Sequence, residues 1–97
     1  MRREVRKSAL AETDLLGIWE YTFEEWDAAQ ADQYLDELAY AIEQLADHPE
    51  MGEQRDYVRE GYRVLLVNSH AVYYTVTLPA IHIVRVLHGQ MDPSRHL

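Results

Sequence analysis

A chain of 97 residues has room for one domain with one core, and without cysteine it can hold neither a disulfide nor a thiolate metal site. Hydrophobic residues make up 47% of it, enough to fold a globule, yet no stretch nears the roughly 20 apolar residues of a membrane span. Residues 12–60 hold 15 acidic and 2 basic side chains, which concentrates the net charge of -8 in the middle and leaves both ends basic; that middle repels nucleic-acid phosphates.

Arg2 and Arg3 begin as an export signal does, but Glu4, Arg6 and Lys7 interrupt the apolar run that would have to follow. A soluble, cytoplasmic protein is expected, and the lack of cysteine fits a reducing compartment. Val5 opens a short strand, and Ser8 is placed to cap a helix running to about Trp26. Along it Leu15, Ile18, Trp19, Thr22, Phe23 and Trp26 recur at three- and four-residue steps. That spacing makes a wide apolar face, expected to be mainly core, with any exposed part serving as a partner groove.

Asp27 caps the next helix, with Gln30 as its capping-box partner. Ala31, Tyr34, Leu35, Leu38, Ala41, Ile42 and Leu45 form its apolar stripe, while Asp32, Asp36, Glu37, Glu43 and Asp47 face outward. His48-Pro49 ends it, and Met51-Gly52 opens a polar loop. From Gly61 the pattern turns to β-branched and aromatic runs at Tyr62–Val67, Ala71–Leu78 and Ile81–Leu87, separated by Asn68-Ser69-His70 and Pro79-Ala80. The order is β-α-α-β-β-β: an α+β domain over residues 1–97, with a two-helix hairpin on one face of a mostly antiparallel sheet.

The run Arg85-Val-Leu-His-Gly-Gln-Met-Asp-Pro-Ser-Arg-His-Leu97 concentrates cations, imidazoles and a flexible Met beyond the last apolar strand. Metal binding is not expected: His82 and His88 share a strand face but lie roughly 20 Å apart. A Ser69-His88-Asp92 triad lacks a nucleophile elbow around Ser69, which more simply ends a hairpin. Arg85 suits an ion pair with Asp56 or Asp92 as well as it suits a partner contact. Arg59 and Arg63 flank Gly61-Tyr62, where a salt bridge to the acidic loop is the simplest role.

Asp14-Leu15, Ile18-Trp19, Gln30-Ala31, Tyr34-Leu35, Pro49, Gly52, Asp56, Arg59, Gly61-Tyr62-Arg63, Ser69-His70, Tyr74, Arg85-Val-Leu-His88, Met91-Asp92 and Arg95-His-Leu97, in this order, resemble the ParE toxins of the RelE/ParE superfamily. The chain departs from that pattern in carrying Asp27 after Trp26 and Asn68 before Ser69-His70, where glycine is usual; both residues tolerate turns. Val64–Val67 is also more apolar than the often polar or basic equivalent.

The resemblance implies the toxin of a type II toxin-antitoxin pair, a DNA gyrase inhibitor neutralised by a ParD-like antitoxin, with no cofactor and no bond chemistry of its own. On this reading Arg85, His88, Met91, Asp92, Arg95 and His96 contact the target. Trp19, Phe23, Trp26, Tyr34, Arg59 and Arg63 meet the antitoxin. The alternatives are a ribosome-dependent mRNA endoribonuclease of the RelE kind and a non-toxic binding module or co-repressor. A ribonuclease needs a base, an acid and cations at the phosphate. Here Lys7 is the only lysine and no tyrosine follows Tyr74, so His88, Arg85 and Arg95 would have to serve.

Overall fold

The computed structural model describes residues 2–97. Its elements are β1 (Glu4–Lys7), α1 (Ala9–Glu25), α2 (Ala28–Gln44), β2 (Glu53–Gln54), β3 (Arg63–Val67), β4 (His70–Val76) and β5 (Ala80–His88), with 3-10 turns at Pro49–Met51 and Pro93–Arg95. The five strands form one sheet in the order β1-β5-β4-β3-β2. β1 runs parallel to β5 and the remaining pairs are antiparallel. The expected α+β architecture is present, with β2 added at the edge as a two-residue strand in the segment read as a loop.

Local chemistry accounts for the helix boundaries. Ser8 Oγ accepts the Ala11 amide at 2.9 Å and donates to the Val84 carbonyl at 2.7 Å, so one hydroxyl caps α1 and ties it to β5. Asp27 accepts the Gln30 backbone amide at 2.8 Å. That is the cap half of the expected box; the bond comes from the Gln30 backbone rather than its side chain. Regular helix in α2 stops at Gln44, earlier than His48, because Leu45, Ala46 and Asp47 donate to carbonyls three residues back and tighten the last turn.

Two apolar clusters sandwich the sheet. Leu38, Ile42, Leu45, Val72, Tyr74, Ile81, Ile83 and Val86 pack with Ala11 and Ile18 beneath the hairpin. Val64, Ala71, Tyr73 and Leu87 form the second cluster on the other face, with Leu97 folded against them. β5 serves both clusters because it contains a bulge: Tyr73 faces Arg85 and Tyr74 faces Ile83, leaving Val84 as the extra residue. The bulge inverts the alternation, so Ile83 and Val86 both reach the helix side. His82 and His88 consequently lie on opposite faces, contrary to the shared face expected of a regular strand.

The loop before β3 is held from within. Tyr74 Oη donates to the Pro49 carbonyl at 2.7 Å and accepts the Gly52 amide at 2.8 Å, while Arg63 donates to the Gly52 carbonyl at 2.7 Å. A Cβ at Gly52 would lie 2.5 Å from that hydroxyl and 2.8 Å from the Val64 carbonyl oxygen, so only glycine fits. Asp56 accepts the Gly61 amide at 2.9 Å where Gly61 takes φ 83°. Asn68 takes φ 54° in the two-residue turn between β3 and β4, the turn tolerance its sequence position required.

Candidate functional site

An open cleft of about 790 Å³ runs between the helical hairpin and the ends of β4 and β5. One wall comes from α1 and the start of α2, with Tyr21, Trp26 and Tyr34; the other is made by His70, His88 and Met91. Gly17 lies on the cleft side of α1, and a Cβ there would meet nothing within 4 Å. Glycine inside a helix costs about 1 kcal/mol relative to alanine, and neither crowding nor a positive φ explains this one. Its effect is to leave the cleft open. The sequence reading passed over Gly17, although an isolated glycine in an otherwise strong helix is the available signal.

His70 and His88 are register partners across β4 and β5, with ring centroids 5.4 Å apart and planes at 82°. Tyr34 Oη lies 2.7 Å from His70 Nδ1 and accepts the Ser69 amide at 3.3 Å. His88 Nδ1 accepts the Gln90 amide at 3.2 Å. Burial, followed by the proximity of His88, holds the His70 pKa below the ordinary imidazole value of 6.5. The sequence singled out Tyr34 and His88 separately and gave His70 a turn position and a place in the family resemblance, but no site role. Pairing across a hairpin is what joins them.

Arg85 has a different place from the one expected. It makes a two-toothed contact with Asp14, Nε to Oδ2 and Nη2 to Oδ1, both at 2.8 Å, and a third bond to the His96 carbonyl at 2.9 Å. Neither Asp56 nor Asp92 is its partner. Asp14 also accepts the Val86 amide at 3.0 Å, capping the β5 edge beyond the end of β1. With the two side chains only 15% and 14% exposed, the pair is a clamp joining α1, β5 and the C-terminal segment.

That segment is folded back on the domain. Asp92 accepts both the Ser94 amide and hydroxyl, which holds its carboxyl below the usual carboxylate range, and Leu97 joins the second cluster. Met91 is 37% exposed at the cleft. Arg95 projects outward with 82% of its side chain exposed, 3.9 Å from Asp92. His96 is half-buried.

The aromatic face of α1 is less buried than its periodicity predicts. Ile18 and Thr22 are core, but Phe23 is 45% and Trp26 74% exposed. Trp19 is half-buried, stacks on Phe23 at 5.2 Å and donates to Asp32 at 2.9 Å. The face is wider than the sheet beneath it can cover. Arg59 lies 6.0 Å from the Tyr62 ring and Arg63 is committed to Gly52, so neither makes the expected salt bridge among the described residues.

Residues 5–93 match the profile of the family described as ParE toxin of type II toxin-antitoxin system, parDE. The chain belongs to the ParE toxin family. Among relatives of this ParE chain, Toxin ParE1 of Mycobacterium tuberculosis (strain CDC 1551 / Oshkosh) is 44% identical over 91 residues, covering 93% of each chain. Toxin ParE1 of Caulobacter vibrioides is 41% identical over 92 residues, covering 95% of each. The ParE fold is also that of a chain from the chromosomal ParDE system of P. aeruginosa, with a TM-score of 0.79 at 17% identity, covering 90% of this chain and 96% of that one. No helix among the described residues is long and apolar enough to cross a membrane.

Proposed function

We propose that this ParE-family toxin arrests growth by inhibiting DNA gyrase and is held inactive by a ParD-like antitoxin. The observation that carries the non-enzymatic part is the composition of the cleft. It holds two imidazoles and two tyrosines, but no lysine or arginine lines it, and its one carboxylate, Asp14, is already bonded to Arg85 and the Val86 amide. A phosphorane forming there would meet no guanidinium or ammonium group. Inhibition by docking on a protein target places no such demand on the toxin.

The antitoxin part is supported by the exposed aromatic residues Tyr21, Phe23 and Trp26 on the hairpin, close to the cleft mouth and surrounded by carboxylates. A segment with apolar side chains at helical spacing and basic flanks complements that surface. Target contact is assigned to Arg95 and His96 with Met91, because the clamp occupies Arg85 and the turn occupies Asp92. One observation favours the ribonuclease alternative, the presence of two imidazoles within one cleft.

The reading is tested by inducing the chain alone. Gyrase inhibition predicts linear plasmid after detergent and protease treatment, loss of supercoiling by purified gyrase, and intact mRNA. Cleavage of ribosome-bound mRNA with gyrase unaffected would replace it by the ribonuclease reading; unimpaired growth would replace it by the co-repressor. Co-purification with the product of an adjacent ribbon-helix-helix gene tests the antitoxin.

A further inference from the structure

The hydrogen bonds around the two histidines are compatible with a proton on Nε2 of both rings. The Tyr34 hydroxyl accepts from the Ser69 amide and can donate its own proton to His70 Nδ1. His88 Nδ1 likewise accepts from the Gln90 amide. With Tyr34 donating to His70, the proton of each neutral ring sits on Nε2. No described residue bonds either Nε2, His70 has no buried nitrogen without a partner and His88 is exposed, so both N–H groups remain available in a cleft whose wall mixes apolar side chains with Thr13, Gln30 and Ser69. The charged and titratable groups facing them are few. Asp14 from α1 is spent on Arg85 and Val86, Tyr21 from α1 is a phenol in the cleft wall, Tyr34 from α2 is the phenol already bonded to His70, and each histidine faces the other. The C-terminal segment contributes Met91.

We propose that this cleft is a subsite for a carboxylate borne next to an apolar group: the apolar part lies over Gly17 between Tyr21 and Met91, and the carboxylate accepts from His70 and His88. On the antitoxin reading the occupant is a peptide segment whose acidic residue meets the histidines and whose basic residues meet the hairpin, which fixes its direction along the cleft. The identity of the occupant rests on that reading; the subsite itself does not. Carboxylate binding favours the imidazolium form, so affinity rises as pH falls, by at most about tenfold per unit for each proton taken up.

The test compares 3-phenylpropionate with 3-phenylpropanamide by NMR, following the histidine rings and cleft methyl groups from pH 8 to 5.5. The acid is expected to shift cleft resonances, to bind more tightly towards low pH and to raise the His70 pKa, while the amide binds weakly and independently of pH. His70→Gln and His88→Gln should each remove most of the preference for acid over amide. Gly17→Leu fills the cleft from a position with room for a side chain and should abolish binding of both with the fold intact. Equal binding of acid and amide at every pH, no binding of either, or an acid preference that survives the double histidine variant would overturn the subsite. With the adjacent gene's product as probe, a complex that ignores both pH and His88→Gln overturns the peptide as the occupant, and leaves the antitoxin reading standing. No complex, with phenylpropionate still bound in the cleft, removes the antitoxin reading and supports the subsite.

Discussion

At the scale of single residues, the positions that carry the family resemblance divide into fasteners and surface. Pro49, Gly52, Arg63 and Tyr74 are one fastening, and Asp14 with Arg85 is another. Tyr74→Phe should lower stability by about 1–3 kcal/mol, since the Gly52 amide is left without its acceptor, and chemical denaturation reads this directly. Arg85→Ala or Asp14→Ala leaves a largely enclosed charge unpaired and should cost about 3–5 kcal/mol. Toxicity should then fall with the fraction folded, and restoring stability elsewhere should restore it. Arg95→Ala is the converse case: with its side chain exposed, it should leave the melting temperature unchanged and weaken growth arrest. Removing residues 91–97 tests something different, because Leu97 and the His96 carbonyl belong to the packing.

At the scale of elements, α1 carries more apolar surface than its contacts with α2 and β5 consume. Trp26→Ala should therefore change stability by no more than about 0.5 kcal/mol, the range usual for exposed positions. It should also weaken antitoxin binding by about 2 kcal/mol, a hot-spot value, measurable by calorimetry. Both helices, the caps at Ser8 and Asp27 and the three-strand meander were legible from the sequence, because capping and periodicity are local. The bulge at Val84 was not, since nothing in an apolar run distinguishes an extra residue from its neighbours. Its consequences were lost with it: the inverted faces of His82 and His88, and the arrangement that lets one strand serve both clusters. The Asp14–Arg85 pair joins positions 71 apart, a distance at which the sequence offers many carboxylates and no way to choose among them. Gly17 was legible as an anomaly only, because a cleft is a property of what surrounds it.

At the scale of the whole molecule, the acidic hairpin and the more basic C-terminal end set conditions for association. Binding of a basic segment should slow as salt is added, most steeply at low ionic strength, as stopped-flow measurements would show. Acid acts separately through His70, whose folded pKa is depressed: its contribution to stability is whole above about pH 6.5 and is lost as pH falls through the lower folded value. Melting temperatures between pH 7.5 and 5 should decline, and less so in His70→Gln. The parallel pairing of β1 with β5, Glu4 opposite Ala80, has a consequence in time. The first strand to leave the ribosome has no sheet partner until nearly the whole domain has been synthesised, so the sheet cannot assemble in the order of translation. During that interval α1 and α2 are available while the clamp on Arg85 is not. On the proposed antitoxin reading, a partner already present engages the hairpin before the toxin is complete, so the order in which the two proteins are made bears directly on whether a free toxin ever exists.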